Sequence, residues 1–137
     1  MFDHFGMIVR DAAAALRFYS ATMPPLGLRI LEQHPNGAFI VASADSGAMQ
    51  FLYIGPDAPE FWQATHEPSR SPVHICFGAP NRAAVDTFYA MGLATGGTPN
   101  GAPGERDPGY YAAYVIDPDG NNIEAAYRSG TSSSEGR

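Results

Sequence analysis

"HFGMIVRDAAAALRFY" (4–19) and "HICFGAPNRAAVDTFY" (74–89) are one passage written twice. Sliding the chain by 70 residues lays His4 on His74, Asp11 on Asn81, Phe18-Tyr19 on Phe88-Tyr89 and Gly27 on Gly97. Any single match is cheap, but each pair falls at the same point of two similar units, and a repeat of this length governs the fold. "HFGMIV" (4–9) and "HICFGA" (74–79) are short apolar runs that read as strands. Asp11 and Asn81 stand where an N-cap belongs, their side-chain oxygens able to accept from the free amides of a first helical turn. The spacing predicts a helix over 11–23 with Ala12, Leu16, Tyr19 and Met23 on one stripe, stopped by Pro24-Pro25. A second helix is predicted over 81–91, carrying Val85, Phe88 and Met91 and ending near Gly92 as a left-handed cap.

Each unit then continues in strands. "LRILEQ" (28–33), "AFIVASA" (38–44) and "MQFLYIG" (49–55) are separated by the turn signals Pro35-Asn36-Gly37 and Asp45-Ser46-Gly47. In the second unit a Gly/Pro-rich loop (96–109) leads to "YYAAYVI" (110–116), the tight turn Asp117-Pro118-Asp119-Gly120 and "NIEAAYR" (122–128). The order is strand, helix and three strands, twice, which makes an α+β domain of two βαβββ modules. Module one spans 1–55 and module two 73–128, with a proline-bearing linker at 56–72 and a Ser/Gly-rich tail at 129–137 expected to be disordered.

Composition narrows the chemistry. The chain has 137 residues, roughly one domain, with 8 basic against 14 acidic residues and a net charge of -6. That balance offers no footprint for nucleic acid or an anionic membrane surface. Every basic residue is arginine, so a lysine Schiff base or a phosphate-loop lysine is excluded. Cys76 is the one cysteine and makes no internal disulfide, and the N-terminus lacks a basic segment followed by a long apolar one, so a cytoplasmic protein is expected. No run of about 18 apolar residues is available to span a membrane.

Alternation along a strand sends successive side chains to opposite faces. With Phe5, Met7 and Val9 toward the helix, His4, Gly6 and Ile8 face away; with Val73, Ile75 and Phe77 toward the helix, His74, Cys76 and Gly78 face away. Aligning "MQFLY" with "IEAAY" pairs Gln50 with Glu124 at the last strands. If the two sheets curve into a trough, these four polar residues meet there. Two imidazoles, a carboxylate and a carboxamide suit a borderline divalent ion, one of zinc, nickel, cobalt, manganese or iron(II). A histidine on a strand is equally the mark of a hydrogen-bonded structural residue. A glutamate inside an apolar strand nevertheless requires a partner, because a lone buried carboxylate costs several kcal/mol.

These residues carry a family likeness. The chain to about residue 128 resembles the glyoxalase, bleomycin-resistance and extradiol-dioxygenase superfamily, the vicinal oxygen chelate fold, through "DHFGMIVRD", "RFY", "SPVHICFGAP" and above all "GAPGERDPGYYAAYVIDPDGNNIEAAYR". The resemblance implies metal ligands at His4, Gln50, His74 and Glu124. Bacterial glyoxalases carry a carboxylate where Gln50 stands; without Gln50, the remaining His4, His74 and Glu124 form a facial triad with open positions, as in extradiol dioxygenases and thiol transferases that open fosfomycin. The reaction implied first is a metal-dependent, lactoylglutathione lyase-like isomerisation of a small oxygenated substrate, in which Glu124 is the base. An extradiol-type dioxygenase and a non-catalytic bleomycin-type binding protein are the alternatives. No residue pattern supports glutathione as co-substrate, and the resemblance implies a homodimer.

Other residues take secondary readings. Tyr110 and Tyr114 share one face and Tyr111 the other, so the first two are candidates for substrate binding, with Arg106 as an anchor for an anionic group or a member of a surface salt bridge. Cys76 is expected to be a small buried residue. His34 and His66 are expected to be solvated loop histidines, and Asp3 is either support for His4 or solvent-exposed.

Overall fold

Each copy of the repeat folds as a strand, a helix and three more strands. In the computed structural model, which describes residues 2–43, 50–57 and 72–130, the first module comprises β1 (His4–Ile8), α1 (Ala12–Thr22), a single 3₁₀ turn (Pro24–Leu26), β2 (Leu28–Gln33), β3 (Phe39–Ser43) and β4 (Phe51–Gly55). The second comprises β5 (His74–Gly78), α2 (Arg82–Ala94), β6 (Thr98–Asp107), β7 (Tyr110–Ile116) and β8 (Asn122–Arg128). Two four-stranded mixed sheets result, in the orders β1-β4-β3-β2 and β5-β8-β7-β6. The first strand of each module pairs in parallel with its last. The sheets do not close on one another, and their helix-free faces form the sides of an open trough. None of the described helices is long and apolar enough to cross a membrane.

Both helices start as the sequence predicts. The Asp11 carboxylate accepts from the Ala14 amide at 2.9 Å and the Asn81 side chain from the Ala84 amide at 2.8 Å, which satisfies one free donor of each first turn. After α1 the two prolines form the 3₁₀ turn, and Gly27, at φ 77, closes it in the left-handed region. Helix α2 differs from expectation: it runs through Gly92 to Ala94, and the left-handed residue is Gly96, at φ 98. Gly92 is buried inside the helix instead, where a Cβ would stand 3.2 Å from Val115 and 3.4 Å from Phe18. The buried face of α2 is therefore Ala84, Val85, Phe88 and Gly92, and Met91 is exposed.

Residues 98–107, expected as loop, form β6. They pair antiparallel with β7 through three register shifts. At the edge of a sheet, Pro99 and Pro103 can turn their missing donors away from the ladder, and the bulges absorb the irregular backbone. The tail is ordered further than expected, because the Ser129 amide donates to the Gly109 carbonyl at 2.8 Å. The turn at 45–47, the linker over 58–71, His66 and the tail from 131 lie outside the described residues.

One core serves both modules. Phe18, Tyr19, Phe39, Ile54, Val85, Phe88, Val115 and Ile123 are all fully buried in a single cluster, and α1 packs on α2. A polar tie crosses this core. The Tyr19 hydroxyl of α1 donates to Asp117 Oδ2, 2.6 Å away in the β7–β8 turn, and burial, then that carboxylate, push its pKa well above the usual tyrosine range. Asp117 also accepts from the amides of Asp119 and Asn121 and from the Asn121 side chain. Asn121 Oδ1 in turn accepts from the Val73 amide at 3.1 Å, and Asp119 accepts from the Arg10 amide at 2.9 Å. The acid-rich turn holds the two modules at a fixed orientation.

Candidate metal and substrate site

The trough face of module two is built by register. Cys76 lies opposite Glu124 and Tyr114 opposite Glu124 in the adjoining ladders, while Tyr110 lies opposite Arg128. Glu124 is 3% exposed, so its carboxylate needs partners. Oε2 lies 3.1 Å from His74 Nε2, Oε1 accepts from the Tyr110 hydroxyl, and the Cys76 thiol is a further hydrogen-bond partner. That contact, then a 3.4 Å contact with Tyr114, pushes the Tyr110 pKa upward, so the phenol keeps its proton.

His74 carries the most informative geometry. Its Nδ1 lies 3.0 Å from the Asn122 carbonyl, which can only accept, so Nδ1 holds a proton. The other nitrogen, Nε2, faces a carboxylate oxygen: as an N–H it donates to Glu124, and with its proton removed it offers a lone pair. Two acceptors 3.1 Å apart need a proton or a cation between them. Two ligand atoms each about 2.1 Å from a single ion, at right angles, stand about 3 Å apart. The donor set therefore fits a divalent ion.

Module one presents a different half. His4 is exposed, its Nδ1 2.7 Å from Asp3 Oδ1 and its ring stacked on Phe51 at 4.8 Å. Asp3 is thus support for His4: a carboxylate on Nδ1 turns the Nε2 lone pair outward, as in metal-binding histidines. Gln50 is not the counterpart of Glu124. It precedes β4, and the register sets Tyr53 opposite Gly6 as Glu124 is set opposite Cys76. Gln50 reaches the cleft as part of its wall.

That cleft, about 630 Å³, lies between the modules and is lined by His4, Gln50, Phe51, His74, Cys76 and Phe77, among others, mostly apolar. Both histidines line this space; His74 and Glu124 form a pair, and no cluster of three His, Cys, Asp or Glu side chains forms among the described residues. Cys76, expected buried, is exposed on the trough face. Partial desolvation by the cleft walls, then the Glu124 carboxylate, nevertheless push its thiol up to about 12.

Arg106 joins the tyrosines. Its guanidinium lies 5.2 Å from the Tyr114 ring centre, and Nη2 donates to the Ala102 carbonyl and, at 3.0 Å, to the Ala112 carbonyl. Tyr111 points the other way, donating to Asp86 of α2 at 2.7 Å. His34 sits in the β2–β3 turn, 3.6 Å from Glu32. Arg128, which the sequence reading passed over, lies 4.0 Å from the Tyr110 ring centre; the face it shares with Glu124, four residues earlier, follows from strand alternation, and its place opposite Tyr110 from the β7–β8 register.

A family model described as the Glyoxalase/Bleomycin resistance protein/Dioxygenase superfamily matches residues 1–125. A glyoxalase/bleomycin resistance protein from Albidiferax ferrireducens is 28% identical, with a TM-score of 0.73 over 94% of this chain and 99% of that one. Lactoylglutathione lyase from Agrobacterium tumefaciens is 20% identical, with a TM-score of 0.64 over 92% of each chain. A fosfomycin resistance protein from Listeria monocytogenes, solved with Mn(II) and 1S,2S-dihydroxypropylphosphonic acid, is 15% identical, with a TM-score of 0.62 over 95% of this chain and 91% of that one. No curated protein matches the chain.

Proposed function

Because the chain belongs to the Glyoxalase/Bleomycin resistance protein/Dioxygenase superfamily, we propose that it is a divalent-metal-dependent, glyoxalase-like lyase or isomerase of a small oxygenated substrate. The observation that carries this reading is the 3.1 Å approach of His74 Nε2 to Glu124 Oε2, with His74 Nδ1 engaged on the Asn122 carbonyl. His74 and Glu124, already in contact, are the proposed first two ligands, His4 on the same cleft is the proposed third, and Gln50 contributes only to the cleft wall. A fosfomycin resistance protein of this fold binds Mn(II), and the same kind of ion suits a set of two imidazoles and one carboxylate.

When bound, such an ion would polarise a substrate carbonyl and stabilise the oxyanion that develops on it. The chain's own groups do the rest. Asn122 and Asp3 fix the histidine tautomers. Glu124 Oε1, the oxygen turned from His74, is where a proton taken from the carbon beside that carbonyl would be held. Tyr110 donates to this oxygen and orients it, and Tyr114 with Arg106 lines the substrate's path. The working assembly is a cytoplasmic homodimer: β1 and β5 are edge strands among the described residues, and Phe2 and Phe5 are exposed beside the cleft, 79% and 42% accessible.

Elemental analysis of protein purified without tag or chelator tests the reading, with His74→Ala alongside. Stoichiometric metal that the variant loses supports it; nickel, zinc, cobalt or manganese agrees with the lyase or isomerase, while iron turns it toward a dioxygenase. Absence of metal even after reconstitution overturns it and leaves the cleft as a binding site. Sedimentation velocity checks the dimer.

A further inference from the structure

The second sheet carries arginines on tyrosine rings on both of its faces, and the two faces treat the charge differently. On the helix side the Arg82 guanidinium lies 5.4 Å from the Tyr111 ring centre, and both Glu105 oxygens neutralise it at 3.0 Å. On the trough side Arg106 lies over Tyr114 and Arg128 over Tyr110. Neither has a carboxylate within ion-pair distance among the described residues. In a chain of net charge -6, leaving two guanidiniums unneutralised over the neighbouring rings of Tyr110 and Tyr114, beside the one buried glutamate among the described residues, is a specific arrangement.

Arg106 is also held still. Two backbone carbonyls engage Nη2 and the Tyr114 ring supports the plane. Gly101 makes room: a Cβ there would stand 2.8 Å from Tyr114 Cδ2 and 3.5 Å from Arg106 Nη2. A guanidinium has five N–H donors, and Nη2 accounts for two, so Nε and Nη1 keep three. A fixed cation with unspent donors binds an anion with little loss of side-chain freedom.

We propose that Arg106 and Arg128 form an anion subsite that selects substrates carrying a carboxylate or a phosphoryl-type group a few bonds from their reacting oxygens. The proposal rests on the reading that the trough takes substrate, but not on the metal.

The test is an NMR titration of the full chain at low salt with three probes sharing a vicinal diol: glycerol, glycerate and glycerol 3-phosphate. The two anions are expected to bind about tenfold or more tightly than glycerol, and the better of them identifies the preferred group. Arg106→Gln and Arg128→Gln should each weaken anion binding about tenfold and leave glycerol unchanged. Arg106→Lys, which keeps the charge, should retain part of the preference. Arg17→Gln, on the exposed surface of α1, should change anion affinity less than about twofold. His74→Ala should keep the anion preference even where it abolishes metal binding, so failure of the metal reading and failure of this one give different results. Equal binding of charged and neutral probes, or an Arg17→Gln loss as large as that of Arg106→Gln, would overturn the proposal.

Discussion

The two modules share a plan and differ in what it presents to the trough. In module two the first-strand histidine meets a buried glutamate from the last strand, which a tyrosine also holds. In module one the first-strand histidine is exposed, stacks on Phe51 and leans on an aspartate next to it in sequence, and Tyr53 occupies the register position of Glu124. The fold has kept the histidine in both copies and the carboxylate in one. A duplicated scaffold therefore separates its tasks: one half concentrates charge and proton-handling groups, while the other supplies an oriented imidazole and apolar wall.

If that division is right, losses on the module-two side exceed those on the module-one side. Glu124→Gln is expected to cost the most, lowering metal affinity more than about 100-fold and abolishing turnover, with the melting midpoint within about 5 °C of wild type; competition with a chromogenic chelator and a thermal melt read both. His4→Ala should follow, at about 10–100-fold, and a His4→Ala effect equal to that of His74→Ala would abolish the asymmetry. Asp3→Ala, which frees the His4 ring without removing it, should cost about tenfold in the same assay.

Away from the trough, Tyr19→Phe should cost about 1–3 kcal/mol by denaturant unfolding, because Asp117 loses a buried donor. The pH dependence has a definite sign. The folded Tyr19 pKa is raised above its unfolded value near 10, so the folded chain holds a proton that the unfolded chain gives up. Its contribution is whole below pH 10 and falls as pH rises above that, and the Phe variant should lose this alkaline component. Gln50→Ala comes last, changing metal affinity less than about twofold; a tenfold loss would show that Gln50 is a ligand and restore the symmetry between modules.

Much of this was legible in the chain. Caps at Asp11 and Asn81 and the shared face of Tyr110 and Tyr114 follow from local chemistry, and the structure shows each; in β1 the alternation holds at Met7 but not at Phe5, which is exposed at the cleft instead of covered by the helix. Gln50 was misplaced because similarity between "MQFLY" and "IEAAY" carries no information on register. The β1–β4 ladder sets Tyr53 opposite Gly6 and the β5–β8 ladder sets Glu124 opposite Cys76, so the last strands correspond at an offset of 71 residues rather than 74, and an odd slip exchanges the faces of a strand. Strand β6 was hidden by its glycines and prolines, which an edge tolerates. The match of Gly27 with Gly97 was accidental: Gly27 is needed for its left-handed backbone, and Gly97 because a Cβ would stand 2.4 Å from Val115.

The tie between Tyr19 and Asp117 bears on how the molecule assembles in time. Its two ends are 98 residues apart, so neither module can complete its own interior first. A folded module two alone would leave Asp117 without its hydroxyl donor, and a folded module one alone would expose the surface that α2 covers. Half-built chains are thereby penalised at a single buried point. The energetic gap between the finished molecule and any partly formed one is widened, and the unfolding transition is drawn toward a single step.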